Sequence, residues 1–263
     1  MTPYLCTLAL ALASSTLMAL PAAGAGKSGD GDWQLRAGGA LLVQPEYGGG
    51  KKLRGLAAPL LEARWRERFF LSTLRGAGYE LRLGEHAALS LALAPDGHRR
   101  RPKDDPRLRG LAEVKIAPAL RLGAELGWGP LFLNTVASTR LGSDKKPGGR
   151  GSSVELELGY GLLPGPDLSL AAGVTVVAMD GKLGQALYGV TPAEAASTGL
   201  RAHRVRAGLH GLGVFAQIGY RLDADWLLFA KAGAIGLRGD AAESPIVRRK
   251  LQPSLALAVS RSF

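Results

Sequence analysis

Near the C-terminus Leu255, Leu257, Val259 and Phe263 alternate with Ser254, Ala256, Ala258, Ser260 and Ser262, and the chain ends on Phe263. A period of two places the first set on one face of a strand and the small, mostly polar set on the other. The same rhythm recurs upstream. Val154, Leu156, Leu158 and Tyr160 alternate with Glu155, Glu157 and Gly159, and Tyr79, Leu81 and Leu83 with Glu80 and Arg82. Leu89, Leu91 and Leu93 alternate with Ser90, Ala92 and Ala94. The longest run sets Val114, Ile116, Pro118, Leu120, Leu122, Ala124 and Leu126 against Glu113, Lys115, Ala117, Ala119, Arg121, Gly123 and Glu125. Such strands suit a transmembrane barrel, with lipid outside and a polar lumen inside. They equally suit a soluble sandwich with one buried face, so alternation alone does not choose.

The turns do choose. Short polar or Gly/Pro turns fall near Arg66-Glu67, Gly84-Glu85, Gly127 to Pro130, Pro164 to Asp167 and Leu222 to Asp225. Longer connections run at 43–54, 95–110, 142–150, 180–206 and 239–250. Alternation of short and long connections is the habit of outer-membrane barrels, whose strand number is even. The rule fails only over 68–83. Breaking that stretch at Arg75-Gly76-Ala77-Gly78 into a tight hairpin restores it. The expected fold is therefore all-β: a transmembrane antiparallel β-barrel of about twelve strands, with ten as the fallback, short periplasmic turns and longer external loops. Trp226 to Leu237 does not alternate cleanly. A terminal strand closing on the aromatic Phe263 fits a barrel C-terminal assembly signal.

Residues 1–26 carry no charged side chain, and Leu5 to Leu20 is an apolar stretch followed by Pro21-Ala22-Ala23-Gly24-Ala25. Ala23 and Ala25 stand at the small-residue positions of a cleavage site, which predicts a signal peptide over 1–25 and a barrel over 26–263. The uncharged start departs from the usual basic leader. The single cysteine, Cys6, lies inside that signal, so the mature chain would have no thiol chemistry and no disulfide. Beyond the signal no run approaches 18 apolar residues, which argues against membrane-spanning helices.

The formal net charge is +11, and most of the excess sits in the long connections. Arg99, Arg100, Arg101, Lys103, Arg107 and Arg109 crowd one of them, and Lys51, Lys52 and Arg54, then Lys145, Lys146 and Arg150, follow the same trend. Facing an anionic outer surface, these groups predict contact with outer-membrane lipid and with lipopolysaccharide phosphates. Nucleic acid is not expected, because the chain has no basic helix or aromatic-rich RNA module and is read as exported.

By strand phase, Arg36, Glu62, Arg64, Glu80, Arg82, Glu113, Lys115, Arg121, Glu125, Glu155 and Glu157 face the lumen. Both signs are present, so the lumen is either cross-linked shut or a narrow wet pore; the sequence leans to the closed form. The four histidines, His86, His98, His203 and His210, lack metal-ligand spacing, and the phase of His210 matches lipid-facing Leu212 and Val214. There is no G-x-S-x-G element, and Glu155 with Glu157 reads as a lumen row before it reads as a glycosidase pair. No enzyme activity, cofactor or metal is expected.

Four local motifs add a family. Gly239-Asp240-Ala241-Ala242-Glu243-Ser244-Pro245-Ile246-Val247 resembles the G-D-A-x-x-S-P-I-V signature of the MipA/OmpV family, the MltA-interacting proteins. Tyr188-Gly189-Val190-Thr191, followed by Ala196, Gly199 and Leu200, is similar to that family's Y-G-V-T segment. Pro45-Glu46-Tyr47 with Gly48 to Gly50 resembles its early P-x-Y-x-G loop, and Arg107-Leu108-Arg109-Gly110 a further element. The resemblance implies an outer-membrane barrel. It also implies a scaffold role joining a lytic murein transglycosylase to a murein synthase; members have further been linked to permeability, antibiotic response and adhesion. Physically, Gly239, Asp240, Ser244 and Pro245 suit a loop folded back over the mouth, or place Asp240 as a ligand contact in the pore. Tyr188 and Tyr47 suit packing on that loop or an interface position. The expected function is a non-catalytic envelope scaffold; the alternative is a restricted, anion-favouring diffusion channel.

Overall fold

The computed structural model describes residues 32–164 and 167–263; the expected signal peptide over 1–25 lies outside the described residues. Twelve strands run β1(Trp33–Pro45), β2(Leu53–Trp65), β3(Phe69–Ser72), β4(Gly76–Arg82), β5(Ala87–Asp96), β6(Ala117–Trp128), β7(Leu131–Leu141), β8(Arg150–Pro164), β9(Leu168–Met179), β10(Gly208–Arg221), β11(Trp226–Leu237) and β12(Leu251–Ser262). Each pairs antiparallel with its sequence neighbours, and β1 pairs with β12 to close the barrel. Closure removes the free edges that an open sheet would present, except along β2 from Leu53 to Leu61, beyond the reach of β3.

The seam shows how the terminal pattern works. Arg36 stands opposite Ser262 and Val43 opposite Leu255, and one residue further the amide of Phe263 donates to the carbonyl of Leu35 at 2.9 Å. Leu255, Leu257, Val259 and Phe263 point outward, while buried Ala256 and Ser260 point inward. The exterior is a belt of exposed leucines, valines and isoleucines. At the short-turn end Trp33, Trp65, Phe69 and Tyr79 form a chain of ring contacts at 6.4, 5.4 and 5.1 Å. An apolar belt edged by aromatic rings is what a strand-built membrane span needs at its lipid face. No helix among the described residues is long and apolar enough to cross a membrane.

The hairpin needed for even parity is present, with its turn at 73–75 and Gly76 at φ +84° opening β4. It is short. β3 pairs with β2 only from Glu62 to Trp65, although β2 continues to Leu53.

Three sequence expectations change here. The strand expected from Val114 begins only at Ala117, because Val114 makes an isolated bridge with Arg100 and buries its side chain completely. Glu113 and Lys115, expected on the lumen wall, therefore lie in the external connection, 3.9 Å apart and solvated. His210, expected to face lipid, faces inward and is buried, because the register shifts by one between Leu209 and Gly211. That bulge inverts the side-chain phase on its two sides. Finally, the connection expected as a loop over 180–206 contains α1(Gly181–Tyr188) and α2(Pro192–Thr198), and the last long loop contains the single turn α3(Gly239–Ala242).

Candidate functional site: the loop cap and the lumen

The long connections form a packed cap, and local chemistry explains its shape. Asp180 caps α1, its carboxylate accepting from Leu183 N at 2.7 Å and from Ser152 N at 2.8 Å. Thr191 and Glu194 form a capping box for α2, with Pro192 in the first turn and Gly199 in the left-handed conformation at its end. Glu194 also accepts from Ala112 N at 2.8 Å, tying α2 to the connection after β5.

The four motifs meet in this cap. The Tyr47 hydroxyl donates to Ile246 O at 3.1 Å, and Arg248 N and Arg249 N both donate to Gly49 O, at 2.8 and 3.0 Å. Ser244 Oγ donates to Tyr188 O at 2.5 Å. A Cβ on Gly49, where φ is +93°, would sit 2.5 Å from Val247 Cγ2, so the close approach requires glycine. Arg107 Nη1 reaches Pro245 O at 3.4 Å, and Leu108 is fully buried with Tyr47, Leu111, Val190 and Ile246. A second cluster, with Val114, Leu183, Leu187, Tyr188, Val205 and Ala241, adjoins the β9 and β11 ends through Met179 and Leu237. Each fully buried Leu, Ile or Val stabilises such packing by about 1.5–3 kcal/mol. Pro45 ends β1 and directs the chain into this assembly; Gly189 ends α1 and its carbonyl accepts from Arg100 Nη1 at 2.9 Å.

Asp240 is held within the cap by its neighbours. It accepts from Arg206 N at 2.9 Å and Arg206 Nε at 3.1 Å, while its own carbonyl meets His203 Nε2 at 2.7 Å. The hydrogen bonds from Arg206 hold its carboxyl down at about 2. The latch is therefore formed at all pH values above the ordinary carboxylate value of about 4, and is lost only as pH falls through about 2. Burial raises the phenols of Tyr47 and Tyr188 to about 12 each. Ultraviolet titration should show two phenols ionising only near pH 12, and Tyr47→Phe should remove one of them; a titration complete well below that value would contradict the packing.

Several basic residues that read as outward charge are internal staples. Arg100 is almost wholly buried between Gly189 O and Ala112 O, Arg101 binds Asp104 at 2.6 Å, and Arg248 binds Asp105 at 3.0 Å. Lys145, Lys146, Lys51 and Lys52 remain outward.

Below the cap, ion pairs line the inner wall. Arg64 holds Glu62 at 2.8 Å and Glu80 at 3.2 Å, Arg75 holds Glu80 at 2.7 Å, and Arg82 lies 3.8 Å from Glu80. On the opposite side Lys231 of β11 reaches Glu157 of β8 at 2.6 Å, a chord that skips two intervening strands. Lys231 also lies 4.4 Å from the ring centre of Phe215, whose ring is 6.3 Å from that of Phe132. Asp96 gathers His98 at 2.6 Å and Arg140 at 3.3 Å directly beneath the cap. Arg121 donates to Pro95 O at 2.8 Å. Glu125 stands beside Asn134 in register, and Glu155 opposite Val136 and Val177, both inward. Arg36 is opposite Glu62 in register, exposed at the short-turn end.

Arg75, Asp96, Arg140 and Lys231 belong to this lumen set and were not expected from sequence. Lys231 carried one readable signal, a lone charge in the otherwise apolar β11.

A comparison with curated proteins finds no significant match. Among solved structures, the NanC porin aligns with TM-score 0.41 at 8% identity, covering 87% of this chain and 98% of that one. The KdgM porin gives 0.39 at 10% identity, covering 88% and 98%. A loop-deletion mutant of the outer-membrane protein OmpT of Vibrio cholerae gives 0.40 at 7%, again covering 88% and 98%. The fold rests on the closed twelve-strand pairing itself. The family described as MltA-interacting protein MipA matches residues 37–263, nearly all of the described chain, and this protein belongs to that family.

Proposed function

We propose that this protein is a non-catalytic outer-membrane barrel, exported on a cleaved signal peptide over 1–25, that serves as an envelope scaffold. Its partners would be a murein-cleaving transglycosylase and a murein synthase, met on the periplasmic side. The observation that carries the reading is the interlocked external mouth. Four motif segments interlock there, and ion pairs line the inner wall below them. A barrel built this way offers walls and turns to partners and little open area to solutes. The remaining outward lysines and arginines would rest on lipopolysaccharide phosphates and fix the barrel's height in the outer leaflet.

The test has two arms. The refolded barrel, inserted in a planar bilayer, should be electrically silent. Cross-linking in intact envelopes should co-purify a murein transglycosylase through the short-turn side. Discrete anion-favouring current steps, with no murein enzyme recovered, would replace the scaffold by the restricted channel.

A further inference from the structure

The apolar belt is not evenly filled. Across β10, β11, β12, β1 and β2 its outward positions include the small residues Gly39, Ala57, Pro59 and Ala230, and the outer wall is hollowed there into an apolar trough of about 920 Å³. Strand register gives its course. Pro59 stands opposite Gly39, Gly39 opposite Val259, Val259 opposite Leu228 and Leu228 opposite Tyr220, so the trough runs straight across five strands. Four spacings of about 4.8 Å make it ~19 Å long.

The trough also climbs. Tyr220 stands beside the last residue of β10 and Leu228 near the start of β11, both at the short-turn end, whereas Gly39 and Pro59 lie near the middle of β1 and β2. On strands tilted about 40°, a line across them rises about 12 Å along the membrane normal, less than one leaflet of a hydrocarbon core about 30 Å thick. That is the path of a single acyl chain entering from the short-turn face.

Charges of both signs stand at its foot. Arg261 points outward like Val259, two residues nearer the short-turn end, and is in register with Trp226. Its guanidinium is 3.6 Å from Asp225, with both side chains about half exposed. Asp223, on the same turn, accepts from Asp225 N at 2.9 Å and Trp226 N at 2.8 Å. So solvated a pair contributes little by itself, which leaves both groups open to further partners. The rings of Phe263 and Trp226 lie 5.1 and 6.0 Å from the Arg261 guanidinium, an aromatic setting that belongs at headgroup level.

A second copy is a poor occupant. Under two-fold symmetry it would present the same hollow, and hollow against hollow leaves the trough empty. A flexible chain fills it. We propose that the trough holds one acyl chain of a glycerophospholipid with a primary-ammonium head, its phosphate on Arg261 and its ammonium on Asp225. The two charges of such a head match the adjacent guanidinium and carboxylate in sign and order. This placement presupposes an outer-membrane barrel with periplasmic short turns, and the lipid comes from the periplasmic leaflet.

Native mass spectrometry of the mature barrel, offered equal amounts of phosphatidylethanolamine, phosphatidylglycerol and phosphatidylcholine, should show one retained lipid, the first favoured about fivefold over either other. Gly39→Leu fills the trough, and a Cβ at that position would meet no atom within 4 Å. It should therefore cut retention by about tenfold with the wall intact. Asp225→Asn should erase the preference over phosphatidylglycerol. In nanodiscs of the parent protein, phosphatidylethanolamine carrying a chain diazirine should label 218–220, 228–230 and 257–259. Retention blind to the head group, retention unchanged by Gly39→Leu, or labelling spread evenly around the belt would each overturn the proposal. Heat-modifiable gel mobility reads the barrel separately, so a folded barrel that keeps no lipid removes the site and leaves the barrel standing.

Discussion

Lys231→Met is expected to lower the unfolding free energy of the barrel in detergent by about 3–5 kcal/mol, the usual cost of removing one partner from a buried ion pair. Both side chains are deeply buried and their charged atoms stand 2.6 Å apart. Methionine fills most of the volume, so the loss comes from the carboxylate of Glu157, left in the lumen without that ammonium. Thr175 Oγ1, 3.5 Å from Glu157 Oε1, replaces little of it. Adding Glu157→Gln should recover a large part of the loss, because the pair is then removed rather than halved. Urea titration followed by far-ultraviolet circular dichroism reads both variants. Equal destabilisation by the single and double changes would show that packing on Phe215, rather than the charge pair, is the stabilising element.

The second large effect is local. Ile246 is fully buried among Tyr47, Leu108, Leu111 and Val190, and its carbonyl receives the Tyr47 hydroxyl. Ile246→Asp buries a carboxyl there, and together with the lost aliphatic packing this should cost the cap about 3–5 kcal/mol. The strand ladder makes no use of Ile246, so the barrel should stay intact. Trypsin offers a direct readout, since the cap segments carry Arg99, Arg100, Arg101, Arg107, Arg109, Arg248 and Arg249. The parent protein should resist cleavage there; in the variant, cleavage should accelerate by about a hundredfold or more, in line with the opening free energy. Unchanged resistance would mean that the staples Arg100–Gly189 and Arg248–Asp105 hold the cap without its apolar centre.

What the sequence made legible follows from interaction range. Alternation and turn length are local, so the twelve strands, their order and the hairpin near Gly76 could be read from neighbouring residues. Phase-based inward residues such as Arg64, Glu80 and Glu157 are local too, and they face the lumen. His210 could not be read correctly, because one bulged residue inverts a phase that is otherwise regular. Glu113 and Lys115 continued an alternation beyond the point where Val114 is drawn into the cap. The box formed by Thr191 and Glu194 is a visible helix start inside a stretch whose length and composition otherwise read as loop. The cap's pairings, Tyr47 with Ile246 or Arg107 with Pro245, left no local trace, since each partner's neighbours are compatible with many loop shapes.

The bond between Tyr47 and Ile246 joins residues 199 positions apart, across the connections that follow β1 and precede β12. Those strands meet only at the closing seam. Bringing such distant segments together carries the full loop-closure penalty, so this part of the cap is a late event in folding. It can lock only after the last strand has found the first. A barrel arrested before closure would therefore display loose, arginine-rich loops to envelope proteases, whereas a completed one hides them. Protease resistance of the mouth would thus report completion of the seam as well as packing of the loops.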